Sequence, residues 1–215
     1  MLTPEQMQSN WEELIDILPV NLRPLFEKYK FSSLIEDGDT RIRVFGIFDA
    51  PAGKGVHHAY QGGLVEHLLE MRYYLDKFAY DLLDGPSGKK HPILDMDAMY
   101  QGAFLHDIHK GFMHFHEKED GTIDYWNGAW SAFMTPDQKT YAMLMESGIC
   151  ISPKVQHIIN HSEGGWAENP SKEATVEAKL VYLADELSVC NSRMQQGNVK
   201  SIRQRPDVWF KSSDF

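Results

Sequence analysis

The dipeptide His106-Asp107 constrains this chain more than any other feature, because it lies in an apolar helical run, GAFLHDIHKG. An imidazole and a carboxylate side by side near the end of such a run are costly to bury unless they are paired or coordinated. Adjacent side chains on a helix diverge by about 100°. They converge on one ion only when it sits in a groove and facing helices supply further ligands. Potential ligands lie on both sides. His67 precedes the pair, in an earlier helical segment, and His161 follows it. Asp185 comes later still, inside KLVYLADELSV, where a carboxylate stands among Leu183, Ala184 and Leu187.

The rest of the chain reads as mostly helical. In segment 4–18, Thr3 is the N-cap, Pro4 suits the first helical position and Gln6 completes a capping box. Trp11, Leu14, Ile15 and Leu18 recur at helical spacing before Pro19 ends the run. A shorter helix is expected over 22–30, and segment 41–48 is a short strand or an extended run. Residues 49–63 are rich in Gly and form a loop. From Leu64 onward, Leu68, Met71, Leu75, Phe78 and Leu82 mark one helix face. After a loop at 84–92, a second long helix is expected from Ile93 to Lys110, closed by Gly111. Residues 112–130 are aromatic and irregular, with a hairpin turn at 119–122. Helices follow over 136–147, 153–162 and 171–196, with Pro136 and Pro153 in first turns and Ser171 as an N-cap. The expectation is an all-α chain, a single helical bundle domain with room for one short β-hairpin. Residues 1–44 form an N-terminal helical segment packing on the core, 45–197 the domain proper and 198–215 a tail.

Composition narrows the function classes. The 215 residues are 42% hydrophobic, enough for a core, and no apolar stretch approaches the roughly 18 residues needed to span a bilayer. The first residues have neither a basic region nor an apolar one of the kind that targets secretion. The reading is a cytoplasmic protein without membrane contact. Cys150 and Cys190 fit no disulfide framework or zinc motif and are read as two buried thiols. A net charge of −10 argues against a whole-surface grip on nucleic acid. The one basic cluster, Lys200, Arg203, Arg205 and Lys211, reads as a solvated tail.

Two imidazoles and two carboxylates suit Mn, Fe, Co, Ni or Zn, with Mg also open, and leave positions for water and substrate. A bound divalent ion makes water a nucleophile near neutral pH and polarises a phosphoryl oxygen. The order His67, His106-Asp107, Asp185 resembles the HD-domain metal-dependent phosphohydrolase superfamily. Within it, FDAPAGKGVHHAYQGGLVEHLLEM, HDIHK, IINHSEGGW and ADELS resemble the HD domains of bacterial 3′–5′ exoribonucleases over roughly residues 45–195. The resemblance implies His67, His106, Asp107 and Asp185 as metal ligands, with His161 available to a second, weaker site.

Further roles follow from the resemblance, in which Lys110 matches the lysine of HDxxK and His161 the late histidine, and from position. Lys110, one turn from His106, places an ammonium beside a phosphate or serves as a C-terminal helix cation. It is grouped with Asp107 and His58 as catalytic. Lys110, His109, His161 and Trp126 are the candidate substrate contacts. His109 stands where the family usually has Gly, as a substrate contact or a surface residue. Of the loop pair His57 and His58, His58 is expected to face the cleft, and Glu66 to support His67 from behind. His157 shares a helix face with His161 and is given a packing role. His114 and His116 are left unassigned, and Trp126, Trp130, Tyr125 and Phe112 are core or cleft walls.

The first function expected is hydrolysis of a nucleoside mono- or triphosphate by metal-bound water. The alternative is a single-strand nuclease or cyclic-nucleotide phosphodiesterase; with only residues 1–44 ahead of the motifs, the barrel that precedes the exonuclease domains is not expected. A binding module without activity is disfavoured because no ligand is lost. The partner is a small nucleotide, with single-stranded nucleic acid and a homo-oligomer both left open.

Overall fold

The computed structural model describes residues 2–37, 40–55, 57–79, 94–112, 114–118, 120–126, 133–162 and 174–195. The α-helices are α1 (Pro4–Ile17), α2 (Arg23–Lys28), α3 (Gly63–Lys77), α4 (Met96–Leu105), α5 (Pro136–Glu146), α6 (Pro153–His161) and α7 (Val176–Gln195). Helix α3 packs along α7, and α4 lies against α3, α6 and α7, so three of these helices surround the segment that carries His106. Leu64, Leu68, Met71 and Leu75 on α3 are fully buried. Each contributes about 1.5–3 kcal/mol of apolar transfer free energy.

Several helix starts follow the expected chemistry. Thr3 and Thr135 each form a capping box, with Gln6 and Gln138, and Pro4 and Pro136 occupy first turns. Ser152 caps α6 ahead of Pro153. The second long helix begins later than expected, at Met96, where Asp95 accepts from the Ala98 amide. Helix α7 begins at Val176, with the Thr175 hydroxyl accepting from Ala178 N–H. Ser171, Ile93, Leu82, Trp130 and the basic cluster 200–211 lie outside the described residues.

The all-α expectation needs a correction. A four-stranded antiparallel sheet in the order β1-β2-β3-β4 joins β1 (Ser33–Asp37), β2 (Thr40–Val44), β3 (Phe115–Glu117) and β4 (Ile123–Tyr125). The expected hairpin is β3–β4, and β2 falls partly in the stretch expected to be extended. The unexpected pairing is between hairpins, where Val44 faces His116 and Arg43 faces Glu117. One continuous core runs from Trp11 and Leu14 of α1 to Val181 and Ala184 of α7, so residues 1–44 supply both core and sheet. The cysteines also differ from expectation: Cys150 is exposed in the α5–α6 turn and Cys190 is half-buried. Among the described residues no helix is long and apolar enough to cross a membrane.

Candidate metal centre

Helix α4 ends at Leu105, and a 3₁₀ turn covers Ile108–Gly111. The helix expected to continue to Lys110 therefore breaks at the dipeptide. His106 keeps helical angles, but Asp107 takes φ −109°, ψ 5°. This break removes the angular divergence that a regular helix imposes, and both side chains face one point. The close approach of α4 to α6 depends on Gly102, where a Cβ would sit 2.3 Å from Cγ2 of Ile158.

Four side chains meet there. His67 Nε2 lies 3.5 Å from Asp107 Oδ2 and 3.3 Å from Asp185 Oδ1. His106 Nε2 lies 3.4 Å from Asp107 Oδ2 and 3.9 Å from Asp185 Oδ1. Ligand atoms about 2.1 Å from one ion, at tetrahedral or octahedral angles, stand about 3.0–3.4 Å apart. These separations approach that spacing and exceed those of charge-assisted hydrogen bonds.

Hydrogen bonds behind the imidazoles fix which nitrogen faces the centre. His106 Nδ1 lies 2.7 Å from the Ala103 carbonyl, which only accepts, so Nδ1 carries the proton. The Ser188 hydroxyl donates to Glu70 Oε2 at 2.7 Å, leaving its oxygen to accept from His67 Nδ1 at 2.9 Å. Each neutral imidazole then presents an Nε2 lone pair to the centre, the usual arrangement behind a metal-ligating histidine. His67 Nε2, His106 Nε2 and Asp107 Oδ1 are buried without a hydrogen-bond partner, and such orphaned acceptors fit a cation between them.

The electrostatics agree. Burial alone would lower the His67 and His106 pKa values, but the Asp107 and Asp185 carboxylates outweigh it and hold both above the ordinary value. Burial alone would raise Asp107, yet the Lys110 ammonium, with His106 and His67, holds it well below. Asp185 is lowered too, because the two imidazoles overcome its desolvation. The centre attracts positive charge, whether carried by protons or by an ion.

A cavity of about 290 Å³ opens from the cluster. Asp107, Asp185 and Lys110 are among the residues that line it, and Lys110 is ion-paired with Asp107. His109 lines it as well and is 2% exposed, so it is no surface residue. Burial holds His109 neutral and well below its usual pKa. His114, against the His109 ring, is pushed down to about 4 by burial and by the Lys139 and Lys110 ammonium groups.

Of the loop pair, His57 rather than His58 lines the cavity. His58 adopts a left-handed φ of 42°, is 1% exposed, and turns its Nε2 to within 3.4 Å of Glu70. The His57 ring lies 5.4 Å from that of His67, and burial, with His67 and Lys110, holds its pKa down to about 2. The carboxylate behind His67 is Glu70, acting through Ser188, whereas Glu66 accepts from the Tyr60 hydroxyl. Trp126 is buried and its amide donates to the His114 carbonyl, while Tyr125 lines the cavity. His161 joins neither candidate metal grouping among the described residues; its Nδ1 bonds the His157 carbonyl. His157 Nε2 accepts from the Thr175 amide at the start of α7, in keeping with a packing role.

Sequence reasoning missed Glu70, Ser188, Asn191, Lys54, Tyr182, Glu186 and Arg193. Helical spacing holds a signal for several of them. Glu70 is one turn after His67, and Ser188 is one turn after Asp185. Lys54 comes from the Gly-rich loop, is ion-paired with Asp124 and lies 5.0 Å over the Tyr125 ring.

The helices that bring together a histidine, a histidine-aspartate pair and a late aspartate define the class. The family model for the HD domain matches residues 64–190, and the chain belongs to that family. A curated relative, the dihydroneopterin 2′,3′-cyclic phosphate phosphodiesterase of Methanocaldococcus jannaschii, is 31% identical over 140 residues. The alignment covers 65% of this chain and 51% of the relative, so the chain spans about half that relative's length. No solved structure matches.

Proposed function

We propose that this chain is a metal-dependent phosphoric ester hydrolase acting on a small nucleotide-like phosphate ester, a cyclic phosphodiester above all. The observation that carries the reading is the pair of Nε2 lone pairs, each set by a hydrogen bond at Nδ1, facing the buried Asp107 and the half-buried Asp185 carboxylates, both of which line one cavity. His67, His106, Asp107 and Asp185 would hold the ion. Bound there, a divalent ion supplies an activated water and a Lewis acid for the phosphoryl oxygen.

The remaining chemistry belongs to the chain. Lys110 and Lys54 bring positive charge to the cavity and offset that of a phosphate. Neutral His57, His109 and His114 can donate a hydrogen bond to a phosphate oxygen without adding charge. Burial of the ligands strengthens each of these interactions.

One finding favours the cyclic diester over the nucleoside mono- or triphosphate first expected. The curated relative is named a cyclic phosphate phosphodiesterase. The cavity's size bears on a different choice, since it suits any of these small molecules better than a polymer strand. The narrower likeness to exoribonuclease domains carries no part of this reading. The test is hydrolysis of 2′,3′-cyclic nucleotides, nucleoside mono- and triphosphates and single-stranded oligonucleotides, each with Mn²⁺, Fe²⁺, Co²⁺, Ni²⁺, Zn²⁺ or Mg²⁺. Turnover of a cyclic phosphate that Asp107→Ala abolishes supports the reading; no turnover of any ester with any metal overturns it.

A further inference from the structure

Asp185, Val189 and Arg193 follow one another at intervals of four on α7, and all three line the cavity. Residues four apart share a helix face, so they form one stripe about 12 Å long. Asp185 stands at the metal end, Val189 in the middle is buried, and Arg193 ends the stripe. Among the described residues Lys54, Lys110 and Arg193 are the cations that line the cavity. Two of them are ion-paired, Lys110 with Asp107 and Lys54 with Asp124. Arg193 has no carboxylate within ion-pair reach among those residues, and its Nε is buried without a hydrogen-bond partner. The last turn of α7 suits a cation through the helix dipole. The dipole supplies no acceptor to a buried Nε–H, however, and orphaned donors of that kind are rare. A guanidinium is always charged and presents paired N–H groups that match two oxygens of one phosphate.

We infer that Arg193 anchors a second anion subsite, which binds a phosphate group of the substrate other than the one that reacts. The inference rests on the hydrolase reading for the orientation of that substrate, with the reacting phosphate at the metal end. The ion and the long arginine side chain each take up part of the stripe's length. A nucleoside carrying a phosphate at either end is of a size to fill the remainder, with Val189 as apolar surface between the two. Lys54 and Lys110 already answer to carboxylates, so the second phosphate goes to Arg193.

Binding is the test, because it can be read without turnover. The 3′-monophosphates and 3′,5′-bisphosphates of adenosine and guanosine would be titrated calorimetrically into the Mn²⁺-loaded protein and its Arg193→Gln and Lys54→Gln variants, with metal content measured in each. The bisphosphate is expected to bind the wild type about tenfold more tightly than the monophosphate of the same base, as a hydrogen bond to a charged group would give. Arg193→Gln should close that gap by weakening the bisphosphate alone, with metal content unchanged, whereas Lys54→Gln should keep it. A wild type without the gap, a gap that survives in Arg193→Gln, a gap that Lys54→Gln closes, an equal loss for both ligands in Arg193→Gln, or no binding at all would overturn the assignment. Hydrolysis of a cyclic phosphate by a protein without the gap would sink the subsite and leave the enzymatic reading standing. A gap that depends on Arg193, in a protein that hydrolyses no phosphate ester, would do the reverse.

Discussion

At the scale of single residues, the centre depends on two layers. Asp107 faces both imidazoles and pairs with Lys110. Asp107→Ala is expected to lose stoichiometric metal, read by elemental analysis of the purified protein, along with hydrolysis. The layer behind is subtler. Glu70 accepts from Ser188 and Asn191, and Ser188 orients His67. Groups that support a ligand in this way are typically worth 10–100-fold in metal affinity. Ser188→Ala should weaken metal binding by about that factor in a chelator competition while keeping the ligand set. Unchanged affinity would show that His67 needs no partner at Nδ1. The dipeptide, His67 and Asp185 were legible from residue type and spacing. Glu70 was not preferred over Glu66, because both stand close to His67 in sequence and only Ser188 on α7 decides which one connects to its ring.

At the scale of elements, the decisive contact is α4 against α6. Gly102 has no room for a side chain beside Ile158. Gly102→Val should push the two helices apart and cost about 1–3 kcal/mol, the usual range for overpacking, measurable as a lower urea midpoint with unchanged slope. Because α4 carries His106, metal affinity should fall with it. The helix periods of α1, α3, α5 and α6 were readable from apolar spacing, caps and prolines. The break at Asp107 was not, because an apolar run continues through Ile108 and no Gly or Pro marks the stop until Gly111.

At the scale of the whole molecule, stability should respond to metal and to pH. A ligand that binds only the folded state stabilises it by about 2.7 kcal/mol at one hundred times its Kd. Removing the ion with a chelator should therefore lower Tm by several degrees, since for a chain of this size 1 kcal/mol corresponds to about 2–4 °C. Calorimetry with and without chelator checks this. His114 sets part of the acid response. Its folded pKa is about 4, depressed first by burial and then by Lys139 and Lys110. The unfolded chain takes up a proton near pH 6.5 while the folded chain does not. The stability this group contributes is thus fully present above pH 6.5 and is lost as pH falls toward 4. Urea midpoints measured across that window should drop less steeply in His114→Gln than in the wild type.

The sequence by itself determined the helical character, most caps and the four residues that meet at the centre, because apolar period and costly buried polar groups are local properties. Only the tertiary structure decided what depends on distant contacts. It broke α4 so that His106 and Asp107 face one point, turned His57 and not His58 into the cavity, and chose Glu70 as the partner of Ser188. It also paired β2 with β3, joining two local hairpins into one sheet through residues far apart in the chain.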